Sequence, residues 1–278
     1  MMISWRRWAC ALALVLAVSG TASAGIHDGL LNYWNLDGNF DDTAGSLSGN
    51  VSTNADNGSQ PGTSVSFADS PASGQYAVFN GDGSAFIEVP NSDDIVATGE
   101  SLSISAWLNV NQFDQGWQAL IAHGESSDYR VARRGGASDI MSYAGGVGDI
   151  PTDDTTGPNV NDGNWHHLVA ISPAGGNAEL WVDGALVSTG GATNITDNGS
   201  GRLMIGGNPD TAGDGYRTWD GGIDDVGMWN RALTGAEIGA IYAGGLNGVP
   251  LSSVPEPSTA VLALLSLSGL GLFRRRSR

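Results

Sequence analysis

The chain has 278 residues, 29 acidic against 12 basic side chains, a formal net charge of −17 and one cysteine. That length holds one large β domain or two small ones, and the charge excludes nucleic acid and anionic membrane surfaces as partners. A single cysteine excludes an internal disulfide, so stability must come from a packed core and, where one is bound, a metal ion.

In chain order, Met1 to Ala24 combines Arg6 and Arg7, an apolar run from Trp8 to Val18 and the triplet Ala22-Ser23-Ala24. Those are the three parts of a secretory signal peptide, with the mature chain starting near Gly25. Cys10 leaves with it. Between Gly25 and Val254 there remain 23 Asp, 5 Glu and 6 Arg, a net 22 negative charges. Such a surface favours divalent cations and neutral ligands, although acidity also serves plain solubility.

Leu31 to Leu36 is expected as a first strand, turned by Asp37-Gly38-Asn39 and followed by a loop with Asp41, Asp42 and Gly45. Asn50 to Ala72 is polar and reads as an irregular rim with a short extended piece at Ser64 to Phe67. Gln75 to Asn80 and Ala85 to Val89 read as strands around a Gly81-Asp82-Gly83 turn. Ser101 to Val110 alternates strictly, with Leu102, Ile104, Ala106 and Leu108 on one face and Trp107 on the other. Gln118 to His123, Ser127 to Ala132 and Ile140 to Tyr143 follow as further antiparallel strands, then a long loop from Val147 to Asn164. Trp165 to Ile171 and Glu179 to Val182 are separated by a Pro-Ala-Gly-Gly-Asn break. Asp183-Gly184 is a two-residue hairpin turn that returns the chain through Ala185 to Val187. After a rim from Gly190 to Gly201 come a strand at Arg202 to Gly206, a Gly/Asp loop to Tyr216 and a last strand region to Trp229. Thr234 to Ala243 has helical spacing, with Thr234 as N-cap and Glu237 as its capping-box partner. Short strands punctuated by turns, with one helix, argue for an all-β, antiparallel β-sandwich.

Four segments carry a family resemblance: YWNLDGNFDDTAG, the AVFNGDGSAFIEVP hairpin with SLSISAWLNV, NWHHLVAI with LWVDGALV, and GGIDDVGMWNRALTGAEIGAIY. In this order they resemble the laminin-G-like, concanavalin-like jelly-roll domain. That resemblance implies two packed antiparallel sheets over residues 25–250 and a module that mostly binds carbohydrate or protein. The C-terminus, residues 251–278, has Val254-Pro255-Glu256-Pro257, an apolar run from Thr259 to Phe273 and arginines at 274, 275, 276 and 278. The run is short beside the roughly 20 residues of an ordinary spanning helix, and its arginines would stay cytoplasmic. In that order the three parts closely resemble the PEP-CTERM sorting signal of Gram-negative bacteria. The resemblance implies export, a transient membrane tether through this helix, processing by an exosortase-type enzyme, and an address in a polysaccharide-rich envelope or outside the cell.

The resemblance also implies a structural calcium ion, Ca2+, between the early loop and the last strand. Its matching positions are Asp42 and Asp224, with Asp37 beside them, and calcium takes six to eight oxygens of this kind. A solvated acidic turn explains Asp37 equally well. Trp117, Tyr216 and Trp219 fall in Gly/Asp-rich loops, where rings could stack on sugar faces while nearby Asp or Asn bind hydroxyls; core packing is the competing account of each. Zinc would need three or four converging ligands, and with no cysteine left only His27 and His123 stand beside the adjacent His166 and His167. No Glu-x-Asp-x-x-Glu, Gly-x-Ser-x-Gly or His-Glu-x-x-His occurs. Asp224 and Asp225, as strand neighbours, are expected on opposite faces and unable to act together. The expectation is a non-catalytic module for polysaccharide, with a structural or protein-interaction role as alternative and a glycoside hydrolase behind both.

Overall fold

A computed structural model of the chain describes residues 25–53, 65–70, 74–81, 85–90, 92, 95, 99–125, 128–196 and 202–255. Residues 1–24, expected as a signal peptide, the apolar C-terminal run with its arginines, and most of the Gly81-Asp82-Gly83 turn lie outside the described residues. Fourteen strands are described: β1 Leu30–Trp34, β2 Asn50–Thr53, β3 Ser66–Asp69, β4 Gln75–Asn80, β5 Ala85–Val89, β6 Leu102–Val110, β7 Ala119–Ala122, β8 Tyr129–Arg133, β9 Met141–Gly145, β10 Trp165–Ser172, β11 Asn177–Val182, β12 Ala185–Ala192, β13 Leu203–Ile205 and β14 Asp220–Trp229. One helix, α1, spans Gly235–Leu246.

Two antiparallel sheets face each other. The larger runs β12-β11-β10-β6-β14-β4-β3, with β1 also on β14, and the smaller runs β2-β5-β13-β7-β8-β9. Alternation decides which side chains enter the sandwich. From the larger sheet Ile104, Ala106, Leu108, Leu168, Leu180 and Ile223 meet Ile87, Ile121, Val131, Tyr143 and Ile205 from the smaller one. The opposite face of the larger sheet is not left to water. Val169, Ile171 and Trp229 project there and are covered by Ile238 and Ile241 of α1 together with Ile26, Leu251 and Val254. This second layer holds both ends of the folded chain.

The hairpin turn forms as expected, with Asp183 and Gly184 both at positive φ (51° and 74°), the twist a tight antiparallel turn requires. The capping box is present: Glu237 N–H donates to the Thr234 hydroxyl, and Thr234 N–H donates to the Glu237 carboxylate at 2.7 Å. Arg231 also donates to Glu237 at 2.6 Å. Burial by itself would raise the Glu237 pKa, and these donors outweigh it to hold the carboxyl below its usual range.

Four boundaries differ from expectation. Asn50–Thr53 is a strand rather than rim, because Val51 pairs with Ile87 at the sheet edge. β12 continues to Ala192 through Gly190-Gly191, held by β11 across two register shifts. The loop before Tyr216 is wound into 3-10 turns over Pro209–Arg217. Helix α1 runs three residues past Ala243, through Gly244 and Gly245, where packing against Trp107 and Val254 overrides the low helix propensity of glycine.

Candidate functional site

Strand β14 organises the site. Ile223, Val226 and Met228 all enter the inter-sheet core, yet Ile223 and Val226 are three residues apart, which in a regular strand would put them on opposite faces. The parity is restored by a bulge: the β14–β6 register shifts between Asp224 and Gly227, and Asp225 adopts φ 49°. The other edge of β14 changes partner at the same place. Asp220 to Ile223 pair with β4, and Val226 to Trp229 pair with β1. Asp224 and Asp225 thus occupy a gap between two strands, and the extra residue turns both carboxyls into one cleft of about 280 Å³.

The cleft has one acidic end, formed by Asp37, Asp224 and Asp225 with Asn35 and Ser70, and an aromatic side of Trp107 and Trp165. Residues 245–250, at the end of α1 and beyond, complete it. Trp165 packs edge-on against Tyr76 at 4.8 Å. Gly222 makes room for this pair, since a Cβ there would come within 2.7 Å of the Trp165 ring. A Cβ on Gly245 would collide with the indole of Trp107. Among the described residues no lysine, arginine or histidine lines the cleft.

Its electrostatics follow from this one-sided charge. Burial first, and then the neighbouring Asp225 charge, pushes the Asp224 carboxyl up to about 9. Burial also raises Asp225, to about 6, partly offset by the hydrogen bond it accepts from the Tyr33 hydroxyl, while Asp37 repels it. The Leu251 backbone N–H donates to Asp225 as well. The Tyr33 hydroxyl is itself driven far above its ordinary range by burial and by Asp225. Asp37 is fixed by the Gln75 N–H at 2.6 Å and by the Asn35 amide at 3.0 Å.

The residues singled out in the sequence divide here. Asp37 and Asp224 meet in the cleft. Asp42 does not line it. Its two oxygens accept the backbone N–H groups of Tyr33, Ala44, Gly45 and Leu47 and the Asn32 amide, at 2.7 to 3.2 Å. Burial alone would raise its pKa, but those donors hold the carboxyl below the usual range. Asp42 is therefore the organiser of its own loop. Among the described residues no set of three or more His, Cys, Asp or Glu side chains could hold a metal ion, so the residues expected for calcium do not assemble as a cage. Trp219 is corrected: it is fully buried, its Nε1–H donates to the Asn109 carbonyl at 3.2 Å, and Phe113 packs edge-on at 5.9 Å. It belongs to the core because the loop before β14 dips between the sheets. Tyr216 is also buried, its ring tilted against that of Phe86 at 4.9 Å outside the smaller sheet, with Arg202 over its ring. Trp117 is half-buried between Arg130 at 4.8 Å and Arg134 at 5.1 Å.

Asp225 was missed because strand neighbours were expected on opposite faces. The bulge overturns that expectation, and the broken parity of Ile223, Val226 and Met228 was the signal for it. The histidines have structural duties. His166 bridges Asp183 and Asp162 at 2.8 and 3.1 Å, and His167 lies buried against Ser105 at 2.8 Å.

A sequence profile described as the concanavalin A-like lectin/glucanases superfamily matches residues 79–239, more than half of the chain. The PEP-CTERM protein-sorting motif matches residues 253–277. Among curated proteins, the Sushi, von Willebrand factor type A, EGF and pentraxin domain-containing protein 1 of Rattus norvegicus is 29% identical over 90 residues, and that of Mus musculus 30%. The match covers 30% of this chain and about 2% of those much longer proteins. Among solved structures, domain 4 of the extracellular arabinanase AbnA from Geobacillus stearothermophilus, in complex with arabinotriose, superposes with a TM-score of 0.56 at 20% identity, covering 76% of this chain and 96% of that one. The binding domain of Paraclostridial Mosquitocidal Protein 1 gives 0.61 at 15%, covering 80% and 53%. A mutant Trypanosoma rangeli sialidase displaying trans-sialidase activity gives 0.54 at 14%, covering 82% and 35%. At these identities the structural likeness establishes the fold: two packed sheets of the concanavalin type.

Proposed function

This chain belongs to the concanavalin A-like lectin/glucanase superfamily, and from that footing we propose that it is an exported, non-catalytic module that binds neutral polysaccharide in the cleft between Trp165 and Asp224. The observation that carries the reading is the meeting of aromatic walls and paired carboxyls in one cleft. Indole rings offer apolar platforms for the C–H faces of sugars, and carboxyl and amide oxygens bind hydroxyls. Asp224, protonated at neutral pH because burial lifts its pKa, presents one O–H donor and one acceptor, the same pair a hydroxyl presents. With three aspartates and, among the described residues, no cationic side chain in the cleft, a neutral chain is favoured over an anionic one.

Hydrolysis fits this geometry poorly. A glycosidase flanks the scissile bond with two carboxyls, about 5 Å or more apart. Asp224 and Asp225 are chain neighbours on one wall, and Asp225 is engaged by the Tyr33 hydroxyl and the Leu251 N–H. The sorting motif supports the address: export, a transient tether through residues 259–273, processing by an exosortase-type enzyme, and residence in the polysaccharide-rich envelope of a Gram-negative bacterium. No step in this reading needs calcium, because Asp42 is engaged in its own loop.

The test is retention of the Gly25 to Val254 domain on neutral and acidic polysaccharides, with calcium and with chelator. Trp165→Ala is expected to weaken retention about tenfold, with chelator indifferent. Loss on chelation would restore a calcium requirement. Retention lost in Trp117→Ala and kept in Trp165→Ala would move the ligand to the face bordered by Trp117 and Tyr216. No retention on any glycan would sink the reading in favour of a structural or protein-interaction role.

A further inference from the structure

His166 and His167 are adjacent in β10, on opposite faces of the larger sheet, and their surroundings favour opposite charge states. His167 is fully buried, its Nε2 2.8 Å from the Ser105 hydroxyl, and burial pushes its pKa down to about 4. His166 has a carboxylate on each ring nitrogen, Asp183 at 2.8 Å from Nδ1 and Asp162 at 3.1 Å from Nε2. An ionised carboxylate only accepts, and a neutral imidazole carries one N–H. Both contacts are therefore hydrogen bonds only in the imidazolium. The Asp183 hydrogen bond first, with that of Asp162, raises the His166 pKa above its ordinary value against the effect of burial. Among the described residues these two aspartates are the charged groups facing His166. Its partner across β6 is Leu108, and the other titratable groups near Asp183, His167 and Tyr242, stack together on the α1 side.

Trp165, the first residue of β10 and the aromatic wall of the cleft, is bracketed by this arrangement. Asp162 Oδ1 accepts the Asn164 N–H at 2.8 Å on one side of Trp165 and His166 Nε2–H at 3.1 Å on the other. Asp162 Oδ2 accepts the Asn164 amide at 2.9 Å. Asp183 ties the strand to the β11–β12 turn from the other side. Its Oδ1 accepts the His167 N–H at 3.0 Å, and its own N–H donates to the His167 carbonyl at 2.8 Å. The two holds are unequal. Asp183 is the closer partner and has backbone bonds besides, whereas Asp162 lies in an exposed loop. A His166 that keeps one proton therefore keeps it toward Asp183 and turns a lone pair toward the Asp162 carboxylate, which repels it.

We infer that His166, shared as an imidazolium between Asp162 and Asp183, is a positioning residue for Trp165, and that deprotonation releases Asp162 and loosens this wall of the cleft. The sign follows from the raised pKa. The hold is complete below the unfolded value near 6.5 and is lost as pH rises through the folded one. That a looser Trp165 weakens ligand binding rests on the glycan reading above; the clasp around Trp165 does not.

The test uses the exported protein alone, so failure of the clasp and failure of the glycan reading are separate results. The His166 ring signals are titrated by NMR, and the midpoint is expected above 6.5. Asp162→Asn should lower it by about half a unit, a modest shift because Asp162 is exposed. Acrylamide quenching of Trp165 is read as the difference between the wild type and Trp165→Phe. It is expected to rise about twofold from pH 5.5 to pH 8, and in His166→Gln to stand at the higher level throughout. Asp225 titrates within this range and is kept in His166→Gln, so any slope left in that variant belongs to Asp225 and the remainder to His166. A midpoint at or below 6.5, or coincident quenching profiles in the wild type and His166→Gln, would overturn the inference. If His166→Gln does not fold, Asp162→Asn replaces it: the quenching step is expected to move to lower pH with the NMR midpoint, and a step that stays in place would overturn the inference as well.

Discussion

Replacing Asp224 with Asn tests the electrostatics of the cleft directly. The side chain accepts the Asp225 N–H at 2.9 Å, which an amide oxygen also can, and Asn has the shape of the protonated acid, so the change removes a titration and little else. The carboxyl titrates near 3.8 in the unfolded chain and near 9 in the fold, with burial as the leading cause. The folded state therefore holds the proton that the unfolded state gives up. This contribution is fully present below pH 4 and is lost progressively as pH rises toward 9. From pH 4 to pH 7, about 3 units at 1.36 kcal/mol each, it amounts to about 4 kcal/mol as an upper bound. The variant should match the wild type near pH 4 and exceed it at pH 7, by up to roughly 10 °C in melting temperature for a domain of this size. Urea denaturation at pH 4, 5.5 and 7 measures the difference. Stability curves that stay parallel across that range would refute the proton-holding carboxyl.

The other predictions concern single elements. Asp42→Ala removes five hydrogen bonds at once and should cost about 3 kcal/mol in urea denaturation at pH 7. Because the folded Asp42 pKa is depressed, the stability it contributes is present above the unfolded value and fades as pH falls through the folded one, so the cost should shrink in acid; a constant cost would contradict the assigned role. Gly245→Ala drives a methyl into the Trp107 indole and should cost about 2 kcal/mol while disturbing the tryptophan fluorescence of the cleft; an unchanged protein would mean that Trp107 is not held there. Trp219→Ala, in the core, should cost about 4 kcal/mol, and the half-buried Trp117→Ala about 1 kcal/mol; similar costs in denaturation would contradict their placement.

The fold was legible wherever the signal is local. Strict alternation from Leu102 to Leu108 set a buried strand, Asp183-Gly184 set a hairpin, and Thr234 with Glu237 set a helix start. Each is decided by a few neighbouring residues and elementary stereochemistry. What stayed hidden depends on distant partners. Asn50–Thr53 is a strand only because Ile87 lies beside it, and Trp219 sits in a polar loop whose burial is fixed by Phe113 and Asn109. Asp42, weighed as a metal ligand by resemblance, carries a loop signature of its own, an aspartate followed by small residues whose N–H groups it gathers.

Two acidic turns of this chain show what a comfortable carboxylate looks like here. Asp153 accepts from the backbone and hydroxyls of Thr155 and Thr156, and Asp162 from Asn164 and His166; these hydrogen bonds lower both pKa values, Asp162 to about 2. Both are solvated turns, which is what an abundance of aspartate on a soluble surface predicts. Asp224 and Asp225 differ in every respect. They are half-buried, their pKa values are raised, Asp225 has a left-handed backbone, and the strand edge beside them lacks a continuous partner. Each feature is locally unfavourable, and an isosteric amide or a regular strand would remove it. In a sequence otherwise consistent with its fold from turn to helix cap, such conflicts concentrate where something other than stability is being served. Their coincidence beside two tryptophan rings sets this cleft apart from the other aspartate-rich surfaces of the chain.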